Sequence, residues 1–304
     1  MKKKFKKIIK RESKKGIFRK DFLFFLMPNF HYLKKIKFYF LIAVTLFFLS
    51  AIVGYFNLIE KISPDLSKSL NDSIFNSIQR IMEKTRDLRG IELIGFIISN
   101  NIKTAFLGIF FGIFFGIFPL LIVLFNGYVL GFVAERAVSS SLNSIGIFVL
   151  WRLFPHGIFE IPAILIGISL GLRIGLYPFY VREKLRAFFG LILSFFIFIF
   201  LFSILLIFFV AFKNPSAFFL RGINSIDSYY ESIFDNLLYR YTFIIFFVLI
   251  YIISILIGLS LLSFEDKKIV YENIFNTFKI FIYLIIPLLL FAGIIEGILI
   301  SILA

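Results

Sequence analysis

The stretch GIFVLWRLFPHGIFEIPAILIGISLGLRIG, residues 146–175, decides how the rest of this sequence is interpreted. It is long and apolar enough to enter a membrane, yet it contains Arg152, His156, Glu160 and Arg173. A charged side chain near the centre of a bilayer costs about 3 kcal/mol on insertion scales, so such residues normally face a partner or a wet cavity inside a helix bundle. The stretch therefore predicts a membrane protein with polar groups among its spanning helices.

The composition indicates an integral membrane protein of the all-α class. The chain has 304 residues, of which 60% are hydrophobic. Several apolar runs reach the roughly 20 residues that cross a hydrocarbon core of about 30 Å. We expect a polytopic transmembrane helix bundle with five to six spans in the cell membrane. The chain contains no cysteine, which excludes a disulfide framework and thiolate catalysis.

The positive charge of the chain is concentrated in residues 1–37. This segment has 14 Lys and Arg residues against Glu12 and Asp21, and it therefore carries +12 of the formal net charge of +15. A basic segment before the first span predicts a cytoplasmic amino terminus and attraction to anionic lipid headgroups. The remainder is close to neutral, which argues against nucleic acid as a partner. Residues 1–37 are predicted to be a basic cytoplasmic or interfacial leader.

Residues 38–304 are predicted to form a single transmembrane domain. Two of its segments, near 64–99 and 216–239, have apolar residues at helical spacing on one face, which is typical of amphipathic helices. With the amino terminus in the cytoplasm, we expect both on the outer face. The first would cover the ends of the spans or, alternatively, dock an extracytoplasmic partner.

Glycine recurs at every fourth residue in two apolar segments. The second crossing, expected from Thr104 to about Asn126, contains one set and the stretch quoted above contains the other; the sets are Gly108, Gly112 and Gly116, and Gly167, Gly171 and Gly175. Small residues at this spacing let membrane helices approach closely. We expect the two stripes to pack together, although glycine is frequent in membrane helices in any case.

The backbone path around Pro155 has two alternatives. Either residues 146–175 form one broken crossing, or residues 145–154 enter the membrane partway, turn near Pro155 and return. Proline removes a backbone donor and clashes with the preceding turn, so we expect a break here. The re-entrant alternative is preferred because it keeps the basic residues of the next loop in the cytoplasm.

The polar residues at membrane depth form a nearly charge-balanced set: Arg152, His156, Glu160, Arg173 and, in the last span, Glu296. We expect an intramembrane ion-pair and hydrogen-bond cluster that fixes the packing, since unpaired buried charges are costly. The alternative is a transport site, because transporters combine broken helices with polar groups near the midplane. The sequence has no HExxH or GxSxG motif. No catalytic residue, metal or cofactor is predicted.

Several motifs in chain order resemble the stage II sporulation protein M family of integral membrane proteins. They are Asn100-Asn101, Asn126-Gly127 followed by Gly131, HGIFEIPAI at 156–164, the glycine run to Gly175, and IIEG at 294–297. The HGxxExPA block, which contains His156, Gly157, Glu160 and Pro162, is the most diagnostic. The resemblance extends from about residue 91 to the carboxyl terminus.

The resemblance implies a non-enzymatic scaffold. In spore-forming bacteria such a protein acts in engulfment and recruits peptidoglycan-degrading partners, while similar sequences occur in archaea and in bacteria that form no spores. We therefore expect an assembly role with membrane or envelope proteins as partners, and a homo-oligomer is also open. The alternative function is a small-solute or ion transporter or channel. The family offers no established chemistry for the motif residues.

Overall fold

The computed structural model describes residues 31–140, 145–213 and 237–303, and nearly all of these residues are helical. Side chains are not described for residues 145–156. Within the described ranges, seven helices are long and apolar enough to cross a membrane: Tyr32–Tyr55, Gly90–Ile113, Ile117–Arg136, Gly157–Gly175, Lys184–Phe209, Arg240–Ser260 and Phe264–Ile300. The predicted all-α polytopic bundle is confirmed, with more spans than the five to six expected.

The helices are numbered in chain order. They are α1 His31–Tyr55, α2 Leu58–Ile62, α3 Pro64–Thr85, α4 Gly90–Phe110, α5 Ile117–Ser140, α6 Ile145–Gly175, α7 Lys184–Lys213, α8 Leu237–Ser260, α9 Phe264–Ile280 and α10 Ile286–Leu303. A π-helical segment, Phe281–Ile285, joins α9 directly to α10. Residues 1–30 of the predicted leader lie outside the described residues, as does most of the amphipathic helix predicted near 216–239.

The chain reverses direction between α4 and α5. A 3-10 turn, Phe111–Ile113, follows α4, and the next residues include Phe115 with φ 56° and Gly116 with φ 66°. These left-handed conformations turn the backbone, so that the side chain of Ile122 lies alongside Gly108. The two helices therefore form a hairpin.

This hairpin replaces the single crossing that was predicted from Thr104 to Asn126, and that prediction is wrong. The first arm, α4, begins at Gly90 and thus takes up the end of the segment 64–99, which was expected to be one outer-face helix. The first turn of α4 contains one acidic residue, Glu92, and the rest of its early sequence is apolar enough to span. Only α3 keeps the amphipathic character.

Helix α6 is continuous over 31 residues and passes through Pro155. The sequence predicts a broken or re-entrant segment at this proline, whereas the backbone is one helix. Proline is tolerated in membrane helices because neighbouring groups and local adjustments satisfy the freed carbonyl. At 1.5 Å per residue the helix is about 46 Å long, which exceeds a hydrocarbon core of about 30 Å. Helix α6 is therefore tilted or extends beyond the core.

The glycine stripe of α6 lies against the glycines at the end of α4 and in the turn that follows it. A Cβ atom added to Gly112 would be 2.6 Å from the Cα of Gly171, and one added to Gly171 would be 2.9 Å from the side chain of Pro119. Gly175 faces Gly112 and Gly116 at similarly short range. A side chain at these positions would overlap the opposite backbone. We call this contact the α4–α6 seam.

A second seam joins α1 to α5. A Cβ atom added to Gly127 would lie 3.1 Å from the Cβ of Ser50, and one added to Gly131 would lie 2.8 Å from the backbone nitrogen of Tyr55. The hydroxyl of Ser50 also donates a hydrogen bond to the carbonyl of Leu124. One face of α5 is thus held on α1 by backbone contact.

By its internal contacts the chain divides into two compact units. The first comprises residues 1–175 and 272–304, and the second comprises residues 176–271. The first unit contains both seams and every residue that the sequence analysis assigned to a site. Nothing in this division tests the prediction of a single transmembrane domain over 38–304, which stays a prediction.

Within the second unit, α7 and α8 meet at a pair of glycines. A Cβ atom added to Gly258 would lie 3.0 Å from the carbonyl carbon of Gly190. The carboxylate of Asp266, at the start of α9, accepts hydrogen bonds from the backbone N–H groups of Arg182 and Glu183, each at 3.0 Å. The Asp266 side chain thereby provides hydrogen-bond acceptors for the two backbone amides just before α7.

We expect Gly171→Ala to destabilise the protein by about 1–3 kcal/mol, because the added methyl group overlaps the backbone of the facing hairpin. Gly167, one turn earlier in α6, has its nearest neighbours at 3.6 Å. Gly167→Ala should therefore be neutral or stabilise by about 0.5 kcal/mol through helix propensity. Thermal unfolding in detergent measures both, and equal unfolding temperatures would contradict the close α4–α6 seam.

Candidate functional site

A cavity of about 620 Å³ lies in the first unit between α4, α5, α6 and α10. The end of α3 and its connection to α4 contribute Thr85 and Arg89 to the lining. Most of the remaining lining is apolar: Phe47, Ile81, Leu93, Phe96, Ile97, Val129, Leu130, Val133, Ile161, Ile164, Leu165 and Ile300. A concave, largely apolar space of this size with a few polar groups is typical of a small-molecule site.

Each of the four helices around the cavity contributes a polar side chain to it. These side chains are Asn101 from α4, Asn126 from α5, Glu160 from α6 and Glu296 from α10, and Asn100 adds a further amide from α4. They are distant in sequence, and the fold of the first unit brings them together. Glu160 and Glu296 are the two members of the predicted charged cluster that the structure places at one site.

The two inner asparagines offer their polar atoms to the cavity. The Nδ2 of Asn126 donates to the carbonyl of Ile122 at 2.8 Å, which leaves its Oδ1 as an acceptor. Asn101 is only 9% exposed, and within the described part of the chain its side chain makes no hydrogen bond. The amide of Asn101 is therefore available to a group in the cavity.

Glu160 and Glu296 place two carboxyl groups of the same charge in one apolar space. Among the described side chains neither forms an ion pair. Removing a carboxylate from water is costly, and a second carboxylate nearby adds repulsion. The arrangement therefore favours a proton or a cation between them.

Arg173 lies elsewhere in the first unit. It follows Glu160 by 13 residues in the continuous helix α6, which is about 20 Å along the axis. Its guanidinium donates to the hydroxyl of Tyr32 at 3.2 Å, to the Oδ1 of Asn273 at 3.1 Å and to the carbonyl of Lys35 at 3.0 Å. The structure thus joins Arg173 to α1 and α9 and does not bring it to the cavity.

Arg173 also lies over aromatic rings. Its guanidinium carbon is 5.3 Å from the ring centroid of Tyr32 and 6.0 Å from that of Tyr39. The hydroxyl of Tyr32 in turn donates to the carbonyl of Asn273 at 3.3 Å. We call Arg173, Tyr32 and Asn273 the arginine anchor. It ties the start of α1 and the end of α6 to the middle of α9.

The predicted cluster of five residues is therefore only partly described. The side chains of Arg152 and His156 lie outside the described residues, although their backbone belongs to α6. Glu160 and Glu296 share the cavity, while Arg173 belongs to the arginine anchor. The ion-pair role assigned to the whole set stays a prediction.

The other motif residues surround the same cavity or the seams. Gly157 lines the cavity one turn before Glu160, and Pro162 lies in the same stretch of α6. Gly297, next to Glu296, faces the side chain of Ile94 on α4. Small residues thus allow the helices that bear the polar groups to approach one another.

Sequence reasoning missed Tyr32, Asn273 and Arg89 as site residues, and it named Asn100 only as part of a motif. A signal was present for Asn273, because it recurs with the buried residues Val270, Thr277 and Ile280 on one helical face. Arg89 sits in the segment 64–99, which was predicted to be one amphipathic helix. No sequence pattern distinguished it from other surface cations.

Seven apolar helices, with glycine seams and a polar cavity between them, define a multi-pass α-helical membrane protein. The family model described as Stage II sporulation protein M matches residues 43–213, more than half of the chain, and the chain belongs to this family. The matched region includes the motif at 156–164, whereas the motif at 294–297 lies beyond it. Comparison with the curated proteins and with the solved structures gave no match.

We expect Arg173→Lys to destabilise the protein by about 1–3 kcal/mol. Lysine keeps the charge but cannot reproduce the planar fork that donates to three oxygens and stacks on tyrosine rings. Arg186 provides the matched control, because it is exposed and its ion pair in the described part of the chain is with Glu183, at 3.0 Å. Arg186→Lys should change the unfolding free energy by less than about 0.5 kcal/mol. Thermal unfolding distinguishes them; similar losses for both would contradict the arginine anchor.

Proposed function

We propose that the protein is a non-enzymatic membrane scaffold that gathers other membrane or envelope proteins, with its amino terminus on the cytoplasmic face of the cell membrane. Membership of the stage II sporulation protein M family supports an assembly role. The basic residues before the first span support the orientation. The observation that carries the proposal is the way in which α3 is mounted on the spanning helices.

One face of α3 is fixed to α1 and α5. Ile74 is 1% exposed and packs with Tyr128 and Phe132 of α5. The hydroxyl of Tyr128 donates to the Oδ1 of Asn71 at 3.1 Å, and the hydroxyl of Ser67 donates to the Oδ1 of Asn57 at 3.1 Å. These contacts give α3 a defined position on the bundle.

The rest of α3 is available to a partner. Leu66 and Phe75 are 57% and 56% exposed, and the charged residues Lys68, Asp72 and Arg80 are exposed as well. Leu66 and Phe75 are nine residues apart and therefore lie on opposite sides of α3. An exposed aromatic side chain such as Phe75 belongs to the residue types that are enriched at protein interfaces. A rigidly mounted surface of this kind suits a protein that positions others.

Photo-crosslinking from α3 tests the scaffold role. We expect a benzoylphenylalanine probe at Gln79, one turn from Phe75 on the same face, to capture a recurring membrane or envelope protein in the native host membrane. Phe75→Asp in the same chain should reduce that capture several-fold, because it places a charge in the apolar part of the contact. Quantitative mass spectrometry of the crosslinked products gives the measurement.

The matched control carries the probe at Phe179, which is 59% exposed in the turn Tyr177–Phe179. A genuine partner of α3 should be absent from the Phe179 products. The scaffold proposal would be contradicted by the same proteins at both positions, or by capture that Phe75→Asp leaves unchanged.

The cavity favours transport as a second candidate function. Polar and acidic groups enclosed by spanning helices are the common setting of ion and substrate sites in transporters. If solute passes through the cavity, purified protein in proteoliposomes should support a flux that Glu160→Gln reduces at least tenfold. Glu92→Gln, at an exposed glutamate of α4, should leave the flux unchanged. Impermeable proteoliposomes would count against this candidate.

A further inference from the structure

We propose that the cavity between α4, α5, α6 and α10 binds an organic cation, an ammonium group carried on an apolar body. The ammonium group would lie between Glu160 and Glu296, and the apolar body would fill the rest of the cavity. This site does not depend on the scaffold role, and it holds whether the ligand is carried across the membrane or only bound.

The polar groups of the cavity determine the charge of the ligand. Glu160 and Glu296 offer carboxylate oxygens, and Asn126, one of whose two N–H groups donates to the carbonyl of Ile122, also offers its Oδ1. Arg89, the cation in the described lining, donates to two backbone carbonyls next to it in the chain. The two carboxylates are acceptors and carry the negative charge of the lining. An ammonium group has up to three donors and no acceptor, and it neutralises charge, which makes it the complement of this set.

Asn101 is independent evidence that the cavity is a binding site. Its side chain is more than nine-tenths buried, lines the cavity and makes no hydrogen bond within the described part of the chain. Because Asn101 lines the cavity, a group bound there can hydrogen-bond to its amide. A bound donor between α4 and the two glutamates would supply the missing hydrogen bond.

The size and lining of the cavity determine the rest of the ligand. A water molecule takes up about 30 Å³ in the liquid, whereas the cavity has about 620 Å³. An inorganic ion, even with several waters, would leave unfilled most of the space next to apolar side chains such as Phe96, Ile97 and Leu165. A ligand with an apolar body attached to the cation would contact the apolar side chains with its body and the acidic side chains with its charge.

Cysteine protection tests this proposal on the full-length chain. The sequence contains no cysteine, so Val133→Cys introduces a single thiol into the cavity lining with little change in volume. We expect 2-phenylethylammonium at ten times its dissociation constant to slow maleimide modification of this thiol about tenfold, as mass action requires. The neutral analogue 2-phenylethanol, at the same concentration, should slow the reaction less than twofold.

Variants of the acidic pair identify the groups that recognise the charge. Glu160→Gln and Glu296→Gln together, in the Val133→Cys chain, should abolish protection by 2-phenylethylammonium. Glu92→Gln in the same chain should preserve it, since Glu92 is an exposed glutamate outside the cavity. If the double variant fails to fold, the comparison of amine with alcohol on Val133→Cys alone still decides the outcome.

Three results would overturn the proposal. Equal protection by 2-phenylethanol would make the cavity an apolar pocket without charge recognition. Protection by sodium or potassium chloride that the amine does not match would make it a site for an inorganic cation. Absence of protection by any of these probes, together with an unchanged unfolding temperature in 2-phenylethylammonium, would mean that the cavity binds no cation of this class.

Discussion

Backbone contact at the two glycine seams is the constraint on which the first unit depends. In a bilayer, apolar side chains gain nothing by leaving the lipid, so spanning helices associate through close packing and polar contacts. At the α4–α6 seam the space between Gly112 and Gly171 does not admit a methyl group, and the same is true of Gly131 against α1. Glycine at these positions is therefore required for the helix arrangement on which the rest of the first unit depends.

The seams also determine where the cavity can form. Along α6, the later residues from Gly171 to Gly175 are pressed on the α4 hairpin, whereas the earlier residues from Gly157 to Leu165 line the cavity. The same division holds along α4, which lines the cavity from Leu93 to Asn101. Helices α4 and α6 therefore meet at the seam and diverge around the cavity. Glu160 lies at the cavity, away from the seam.

Helix α5 serves both purposes with two faces. Gly127 and Gly131 rest on α1, while Asn126, Val129 and Leu130 line the cavity. The adjacent residues Asn126 and Gly127 therefore have different functions, although the sequence shows them as one motif. A substitution at the glycine would displace the helix that carries the asparagine.

The general class of the protein could be predicted from the sequence because apolar runs and glycine spacing act over a single helix. The α4–α5 reversal could not, since Phe111 to Ile117 is as apolar as the spans on either side and carries no turn-forming pair beyond glycine. Phe115 adopts φ 56° against the preference of its side chain, because the tertiary contacts of Gly112 and Gly116 determine the turn. Local propensity contains no information about such contacts.

At the α4–α5 reversal the sequence did not reveal a real break, whereas at Pro155 it predicted a break that is absent. A proline usually interrupts a helix in water, but α6 continues through it, as the surroundings of membrane helices permit. Helical continuity has a consequence that the sequence could have given: on one helix, Glu160 and Arg173 are about 20 Å apart and cannot pair. Both residues follow Pro155, so this distance would separate them with or without a break at the proline.

The separation of Arg173 from the two glutamates bears on what the glutamates do. Arg173 is occupied by Tyr32, Lys35 and Asn273, so its charge is not the counterion of the cavity. If the polar groups served packing alone, apolar side chains of similar volume would do so at lower cost, as replacements of buried ion pairs often show. Two carboxyl groups that have no counterion among the described side chains instead cost stability in this largely apolar space. A ligand that supplies positive charge and hydrogen-bond donors removes that cost, which is why the cavity is better explained by what it binds than by the packing it provides.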